Sequence, residues 1–160
     1  MPQSPSPVAK LPISPGRSSP CERSHYRGFN DVTTRWADND VFGHVNSPTY
    51  YSYFDTAVTR WLHARGLIGL DSGPMWVVAE TGCRFLAEVA FPDLLNIGLR
   101  IGRIGVSSVR WELAVFREGF PDACAEAHFV HIFVDRATRR PTPIPPGIRE
   151  TLTPMLTTGD

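Results

Sequence analysis

One short segment, followed at once by a long amphipathic stretch, constrains the fold of this 160-residue chain more than any other feature. Residues 38–48 read DNDVFGHVNSP, with two carboxylates, a glycine and a histidine ahead of a serine and a proline. Ser47 is a typical N-cap residue, and Pro48 suits the first helical position because that position needs no backbone N–H. The segment therefore predicts a turn that leads directly into a helix.

The stretch after the turn has the periodicity of a long helix with a wide apolar face. Apolar and aromatic side chains recur at helical spacing from Tyr50 to Leu62, and Gly66 is a natural stop. We expect a helix over residues 48–65, about 27 Å long. Its first turn would present unpaired backbone N–H groups to the preceding loop.

Five segments rich in β-branched and aromatic residues are predicted to be strands. They span residues 26–36, 75–89, 94–104, 105–116 and 123–134. Because the connections between the last four are short, consecutive strands are expected to pair antiparallel. The sequence thus predicts an α+β domain in which one long helix covers one face of a five-stranded antiparallel sheet.

Composition fits one globular domain with a tail at each end. Residues 1–24 are rich in Pro and Ser, which predicts a disordered tail, followed by a domain over residues 25–155 and a short tail over 156–160. Three cysteines without CxxC spacing favour a reducing, cytoplasmic setting. A formal net charge of zero argues against a nucleic-acid partner, and no apolar run approaches the ~20 residues of a membrane span.

The chain order of strand, Asp-x-Asp-x-x-Gly-His-Val-Asn at residues 38–46, long helix and four strands resembles a known family. It is similar to the hotdog-fold acyl-CoA thioesterases of the 4-hydroxybenzoyl-CoA thioesterase type, with supporting stretches at residues 85–92, 101–108 and 134–141. The resemblance implies a sheet wrapped around the helix, and homodimers or homotetramers with a site at the subunit interface near the helix start. It also implies hydrolysis of acyl-CoA to a free acid and CoA, without a cofactor or metal.

The same resemblance assigns the catalytic residues. It makes Asp40 the catalytic carboxylate, and the backbone N–H groups of Asn46 and Ser47 the donors that polarise the thioester carbonyl. The chemistry is reasonable, because a carboxylate can serve as nucleophile or as base for water, and helix-start N–H groups suit an oxyanion. The alternative for Asp40 is a turn-forming residue that bonds its own backbone. His44 is either a proton carrier or a side chain that satisfies Asp38 or a nearby carbonyl.

Seven further residues are candidates for substrate binding, and two other functions stay open. The candidates are Gly43 in the turn, Tyr50, Tyr51 and Phe54 along an acyl tunnel, and Arg103, Ser107 and Ser108 as contacts to CoA. One alternative function is a hotdog dehydratase of acyl thioesters, in which His44 would be the base. The other is a non-catalytic module that binds acyl-CoA or an acyl carrier.

Overall fold

The computed structural model of the protein describes residues 20–157. Its regular elements are the helices α1 (Ser47–His63) and α2 (Pro146–Leu152), and the strands β1 (Gly28–Thr33), β2 (Met75–Phe85), β3 (Leu94–Ile104), β4 (Ser108–Arg117) and β5 (Ala123–Val134). The strands form one sheet in the order β1-β3-β4-β5-β2, and every neighbouring pair is antiparallel. The predicted α+β architecture is confirmed, with β1 and β2 at the two edges of the sheet.

Helix α1 lies across one face of the sheet and supplies the centre of the core. Its buried residues are Tyr50, Tyr53, Phe54, Ala57, Val58 and Leu62. Phe54 packs edge-on against Phe129 of β5, and Trp61 against Trp111 of β4, with ring centroids 6.1 and 5.3 Å apart. Each large side chain that becomes fully buried contributes roughly 1.5–3 kcal/mol of hydrophobic free energy. The helix is therefore held by packing along most of its length.

Helix α1 begins one residue earlier than predicted. Ser47 is its first residue and Asn46 its N-cap, whose carbonyl accepts from Thr49 N–H at 2.9 Å. At the other end the regular helix stops at His63, because Gly66 takes a left-handed φ of 66° and the N–H of Leu67 turns back to the Leu62 carbonyl at 2.9 Å.

Strand β2 ends at Phe85, four residues before the predicted boundary. The backbone N–H groups of Leu86 and Ala87 both donate to the Cys124 carbonyl, at 2.8 and 2.9 Å, so the chain leaves the regular ladder there. Strand β4 begins at Ser108 and not at Gly105, because Gly105 N–H donates to the Ser108 carbonyl and closes a tight turn.

The domain is longer at both ends than the composition predicted. Of the predicted tail over residues 1–24, residues 1–19 lie outside the described part, whereas residues 20–24 pack on the face of the sheet opposite α1. Glu22 bridges Asp122, and Cys21 N–H donates to Glu126 at 2.6 Å. At the carboxyl end Leu156 forms a bridge with Ile101. None of the helices within residues 20–157 is long and apolar enough to cross a membrane.

Candidate active site

The loop before α1 is closed on itself by backbone hydrogen bonds. Asp40 N–H donates to the His44 carbonyl at 3.0 Å, and Gly43 N–H donates to the Asp40 carbonyl at 3.1 Å. Asp40 Oδ1 accepts from Phe42 N–H at 2.8 Å, and no donor among residues 20–157 reaches Oδ2. Gly43 takes a φ of 86°, which disfavours any residue with a Cβ. One oxygen of the Asp40 carboxylate is thus hydrogen-bonded within the loop, and the other has no hydrogen-bond donor among the described residues.

Asp38 anchors this loop to the helix. Its side chain is 2% exposed and accepts hydrogen bonds from Tyr53 O–H at 2.6 Å and from Arg35 N–H at 2.8 Å. The Arg35 guanidinium adds an ion pair at 2.9 Å. Burial alone would raise the pKa of Asp38, but the hydrogen bonds from Tyr53 and Arg35 outweigh it and hold the pKa below its usual value.

The start of α1 offers one open backbone donor. Asn46 N–H already donates to the Asp38 carbonyl at 2.9 Å, so this group is not free to bind a thioester oxygen. Pro48 has no N–H. The N–H of Ser47 has no partner within the described residues, and Ser47 lines the cleft described next. Of the two predicted oxyanion donors, the backbone N–H of Ser47 is therefore the one available to a thioester oxygen. It also lies at the positive end of the helix dipole.

A cleft of about 220 Å³ opens beside the helix start. It is lined by His44, Val45, Ser47, Tyr50, Phe85, Ala87 and Glu88. The His44 ring lies beside Glu88, with Nε2 3.8 Å from Oε1, and stacks on Phe42 with 6.2 Å between centroids. His44 therefore contacts neither of the partners predicted for it. Asp40 lies in the loop next to this cleft but is not among the lining residues.

Glu88 is a second carboxylate that the sequence did not single out. It follows β2 and comes next to the loop because Val45 N–H donates to the Val89 carbonyl at 2.8 Å. That contact joins residues 44 positions apart in the chain, so short-range sequence patterns cannot predict it. Glu88 falls inside the strand predicted over residues 75–89, so nothing in the sequence indicates its position at the cleft.

The three aromatic candidates on α1 have different surroundings. Tyr50 lines the cleft with its ring 5.0 Å from that of Phe85. Tyr51 is half-buried and stacks on Phe129 at 6.0 Å. Phe54 is fully buried in the core, so the expectation that it lines an acyl tunnel is not met within one subunit. Its ring fills the space between helix and sheet.

The predicted CoA contacts lie at the far end of the sheet. Ser108 pairs with Ile132, whereas Phe85 at the cleft pairs with Ala125, seven residues earlier on β5. Seven residues of strand span about 23 Å. Within one subunit, Arg103, Ser107 and Ser108 are therefore not brought to the cleft. Nor do any three His, Cys, Asp or Glu side chains of the described chain come together as a metal site.

Comparisons with known proteins agree with this architecture. A family model described as thioesterase-like superfamily matches residues 34–152. The PA5185 protein from Pseudomonas aeruginosa strain PAO1 is 43% identical with a TM-score of 0.83, over 89% of this chain and 100% of that chain. A thioesterase from Thermus thermophilus, solved with coenzyme A and Zn, is 29% identical with a TM-score of 0.70, over 79% of this chain and 98% of that chain.

One further relative matches over a shorter stretch. The YsmA protein of Bacillus subtilis (strain 168) is 28% identical over 87 residues, which are 54% of this chain and 59% of that protein. The chain thus matches less than two thirds of that relative. The family match, by contrast, spans most of the domain, including the loop, α1 and all strands from β2 to β5. The chain belongs to the thioesterase-like superfamily and has its hotdog fold.

Proposed function

We propose that the protein hydrolyses acyl-CoA thioesters to a free carboxylic acid and CoA, with Asp40 as nucleophile or general base. The observation that carries this proposal is the Asp40 carboxylate, held with one open oxygen in the loop before α1, close in the chain to the unpaired N–H of Ser47. Membership of the superfamily supports thioester hydrolysis in general. The coenzyme A in the Thermus structure supports CoA as the carrier of the acyl group.

The reaction can be written with either role for the carboxylate. As a base, Asp40 takes a proton from water while the water oxygen attacks the thioester carbonyl. As a nucleophile, it forms a mixed anhydride that water then opens. In both cases the carbonyl oxygen becomes negatively charged and is stabilised by the Ser47 N–H and the positive end of α1. The C–S bond then breaks, and CoA leaves as a thiolate that takes up the proton.

The site is proposed to be completed by a second copy of the chain. Strand β2 is an edge of the sheet, and its Val77 and Val78 side chains are 39% and 47% exposed. An edge strand of eleven residues with exposed valines is a template for pairing with another strand. Antiparallel pairing of two β2 strands about a two-fold axis would give a ten-stranded sheet and a homodimer. Two such dimers would make the tetramer.

A specific contact favours a second candidate function. His44 Nε2 lies 3.8 Å from Glu88 Oε1 at the cleft. A histidine and a carboxylate are the acid–base pair that removes water from a 3-hydroxyacyl thioester, with His44 taking the proton from the carbon next to the carbonyl. In this alternative Asp40 would only shape the loop.

The product of the reaction separates the candidates. The protein is incubated with acyl-CoAs of short, medium and long chains, with aromatic acyl-CoAs and with 3-hydroxyacyl-CoAs, and the products are identified by mass spectrometry together with a free-thiol assay. The proposal expects free acid and CoA thiol in equal amounts. An unsaturated thioester without thiol release would establish the dehydratase instead. Binding of acyl-CoA without any product would establish a binding module.

A further inference from the structure

His131 is a buried histidine in apolar surroundings. It lies on β5, on the side of the sheet that faces α1, and is only 5% exposed. Its neighbours on that side are Phe129, whose ring centroid is 6.4 Å away, and Phe133, while Val78 and Val109 lie opposite it on the adjacent strands. No atom of residues 20–157 forms a hydrogen bond with its Nδ1.

An unpaired polar atom in such a place is costly for the fold. A buried group without a hydrogen-bond partner costs roughly 1–3 kcal/mol, and an apolar side chain of similar size would avoid this penalty. Burial also lowers the pKa of His131 to about 4, so its imidazole is neutral at pH 7. A neutral imidazole donates at one nitrogen and accepts at the other. The imidazole of His131 therefore has a hydrogen-bonding capacity at Nδ1 that no described residue uses.

Towards the β2 edge of the sheet, His131 is flanked by exposed residues. Its partner in register on β2 is Val78, which is 47% exposed, and the outer side of β2 pairs with no other described strand. His131 is one strand away from this edge, and neighbouring strands are about 4.8 Å apart. Thr81, the next inward-facing residue along β2, is also exposed. A molecule lying on this part of β2 would contact Val78 and Thr81 and lie one strand away from the histidine.

Pairing of two β2 strands would bring a second active site to this part of β2. The cleft lies at the carboxyl end of β2, at Phe85, whereas Val78 lies in its amino-terminal half. Antiparallel strands run in opposite directions, so each carboxyl end meets the amino-terminal half of the other strand. With Phe85 of one strand beside Val78 of the other, the cleft of one subunit would face His131 of the other.

We propose that His131 of one subunit lines the acyl end of the site whose Asp40 belongs to the other, and selects acyl groups that carry a hydrogen-bonding substituent. This proposal rests on the proposed thioesterase function. A site built to bond a hydroxyl discriminates against the analogue that lacks it, because the polar group of the site is then left unpaired. The apolar surroundings of Phe129 and Val78 fit the rest of the acyl group.

Matched substrate pairs test the selection. The ratio of kcat/KM is measured for 4-hydroxyphenylacetyl-CoA over phenylacetyl-CoA, and for a hydroxylated over a plain aliphatic acyl-CoA of equal length. The wild-type protein is expected to prefer the hydroxylated member of at least one pair by ~10-fold or more. His131→Phe should bring that ratio close to one, whereas His131→Gln, which keeps hydrogen-bonding groups, should retain part of it. His128→Gln is the matched control, because His128 lies on the opposite side of the same strand, bonded to Glu80 at 2.8 Å.

Mixed dimers test whether the histidine acts across the interface. Differently tagged Asp40→Asn and His131→Phe subunits are combined, and the heterodimer is purified. If His131 acts in trans, one of its two sites carries both changes and the other carries neither, so the heterodimer shows wild-type selectivity. If it acts in cis, the active site of the heterodimer has lost its selectivity. Loss of selectivity in the heterodimer, or an unchanged kcat/KM ratio in His131→Phe, overturns the proposed role of His131, although thiol release still supports the proposed hydrolysis. Absence of thiol release from every acyl-CoA overturns the proposed hydrolysis itself.

Discussion

The buried carboxylate of Asp38 shows how a single residue can fix the position of a site. Tyr53 O–H donates to Asp38 at 2.6 Å from the second turn of α1, while Arg35 contacts it from the other side of the loop. The loop with Asp40 is thereby tied to the helix whose first N–H groups it faces. The Asp38–Tyr53 hydrogen bond joins residues fifteen positions apart, so the predicted helix includes Tyr53 without indicating its partner.

Removing the Tyr53 hydroxyl should destabilise the protein. Tyr53→Phe leaves a buried carboxylate oxygen without one of its donors, so the free energy of unfolding in urea should fall by about 1–3 kcal/mol. Tyr51→Phe is the control, since the Tyr51 hydroxyl forms no hydrogen bond with the described residues. Equal unfolding midpoints for wild type and Tyr53→Phe would show that the Tyr53–Asp38 bond contributes nothing.

His131 should make the fold sensitive to mild acid. Its pKa is about 4 in the folded protein, below the ordinary value of 6.5, so the unfolded chain binds a proton more readily. The free energy of unfolding should therefore decline as the pH falls from about 6.5 to 4, by roughly 3 kcal/mol in total from this group. Urea unfolding at a series of pH values should show a shallower decline for His131→Phe. Parallel curves for the two proteins would contradict the burial of a neutral imidazole.

At the scale of elements, the loop–helix unit was the most predictable part of the chain. Its N-terminal signals and apolar spacing are local, and the observed helix differs from the predicted one by one residue at the start and two at the end. The end of β2 was less predictable, because it depends on hydrogen bonds from Leu86 and Ala87 to Cys124, nearly forty residues away.

Two glycines with the same backbone conformation allow the loop to be tested. Gly43 before α1 and Gly119 between β4 and β5 have φ of 86° and 81°, and a Cβ at either would meet no atom within 4 Å. Alanine at each site should therefore cost a similar ~1–2 kcal/mol of backbone strain. Only Gly43→Ala should also lower kcat, because it displaces the Asp40 loop. Equal activity of the two variants, measured by thiol release, would argue against a catalytic loop.

At the scale of the whole molecule, the sheet order is the basis of the proposal that a second subunit completes the site. The cleft, Arg103 and His131 are spread along the sheet within a chain, and a two-fold axis beside β2 would bring opposite ends together. Strand periodicity predicted the five strands but not which of them is the edge beside the cleft. That information depends on the long-range pairing of β2 with β5.

A charge on the β2 edge should break the proposed dimer. Val78→Glu buries a carboxylate of each subunit between the paired β2 strands, where its desolvation opposes association. Sedimentation velocity should show a shift from dimer to monomer, with loss of thioesterase activity. Val106→Glu is the control, because Val106 is 72% exposed in the turn between β3 and β4. A Val78→Glu protein that stays dimeric would place the interface elsewhere.

The Asp40 carboxylate is proposed to carry out thioester hydrolysis, and the activities of three single-residue variants test this role. The rate of CoA thiol release is measured for wild type, Asp40→Asn and Glu88→Gln on the best acyl-CoA substrate, with the exposed loop variant Asp71→Asn as control. The proposal predicts that Asp40→Asn loses about a hundredfold or more in kcat/KM, equivalent to about 2.7 kcal/mol of barrier lowering. Glu88→Gln and Asp71→Asn should stay within about tenfold of wild type. Full activity of a folded Asp40→Asn protein, with loss on Glu88→Gln, would contradict the claim and transfer the catalytic role to the His44–Glu88 pair.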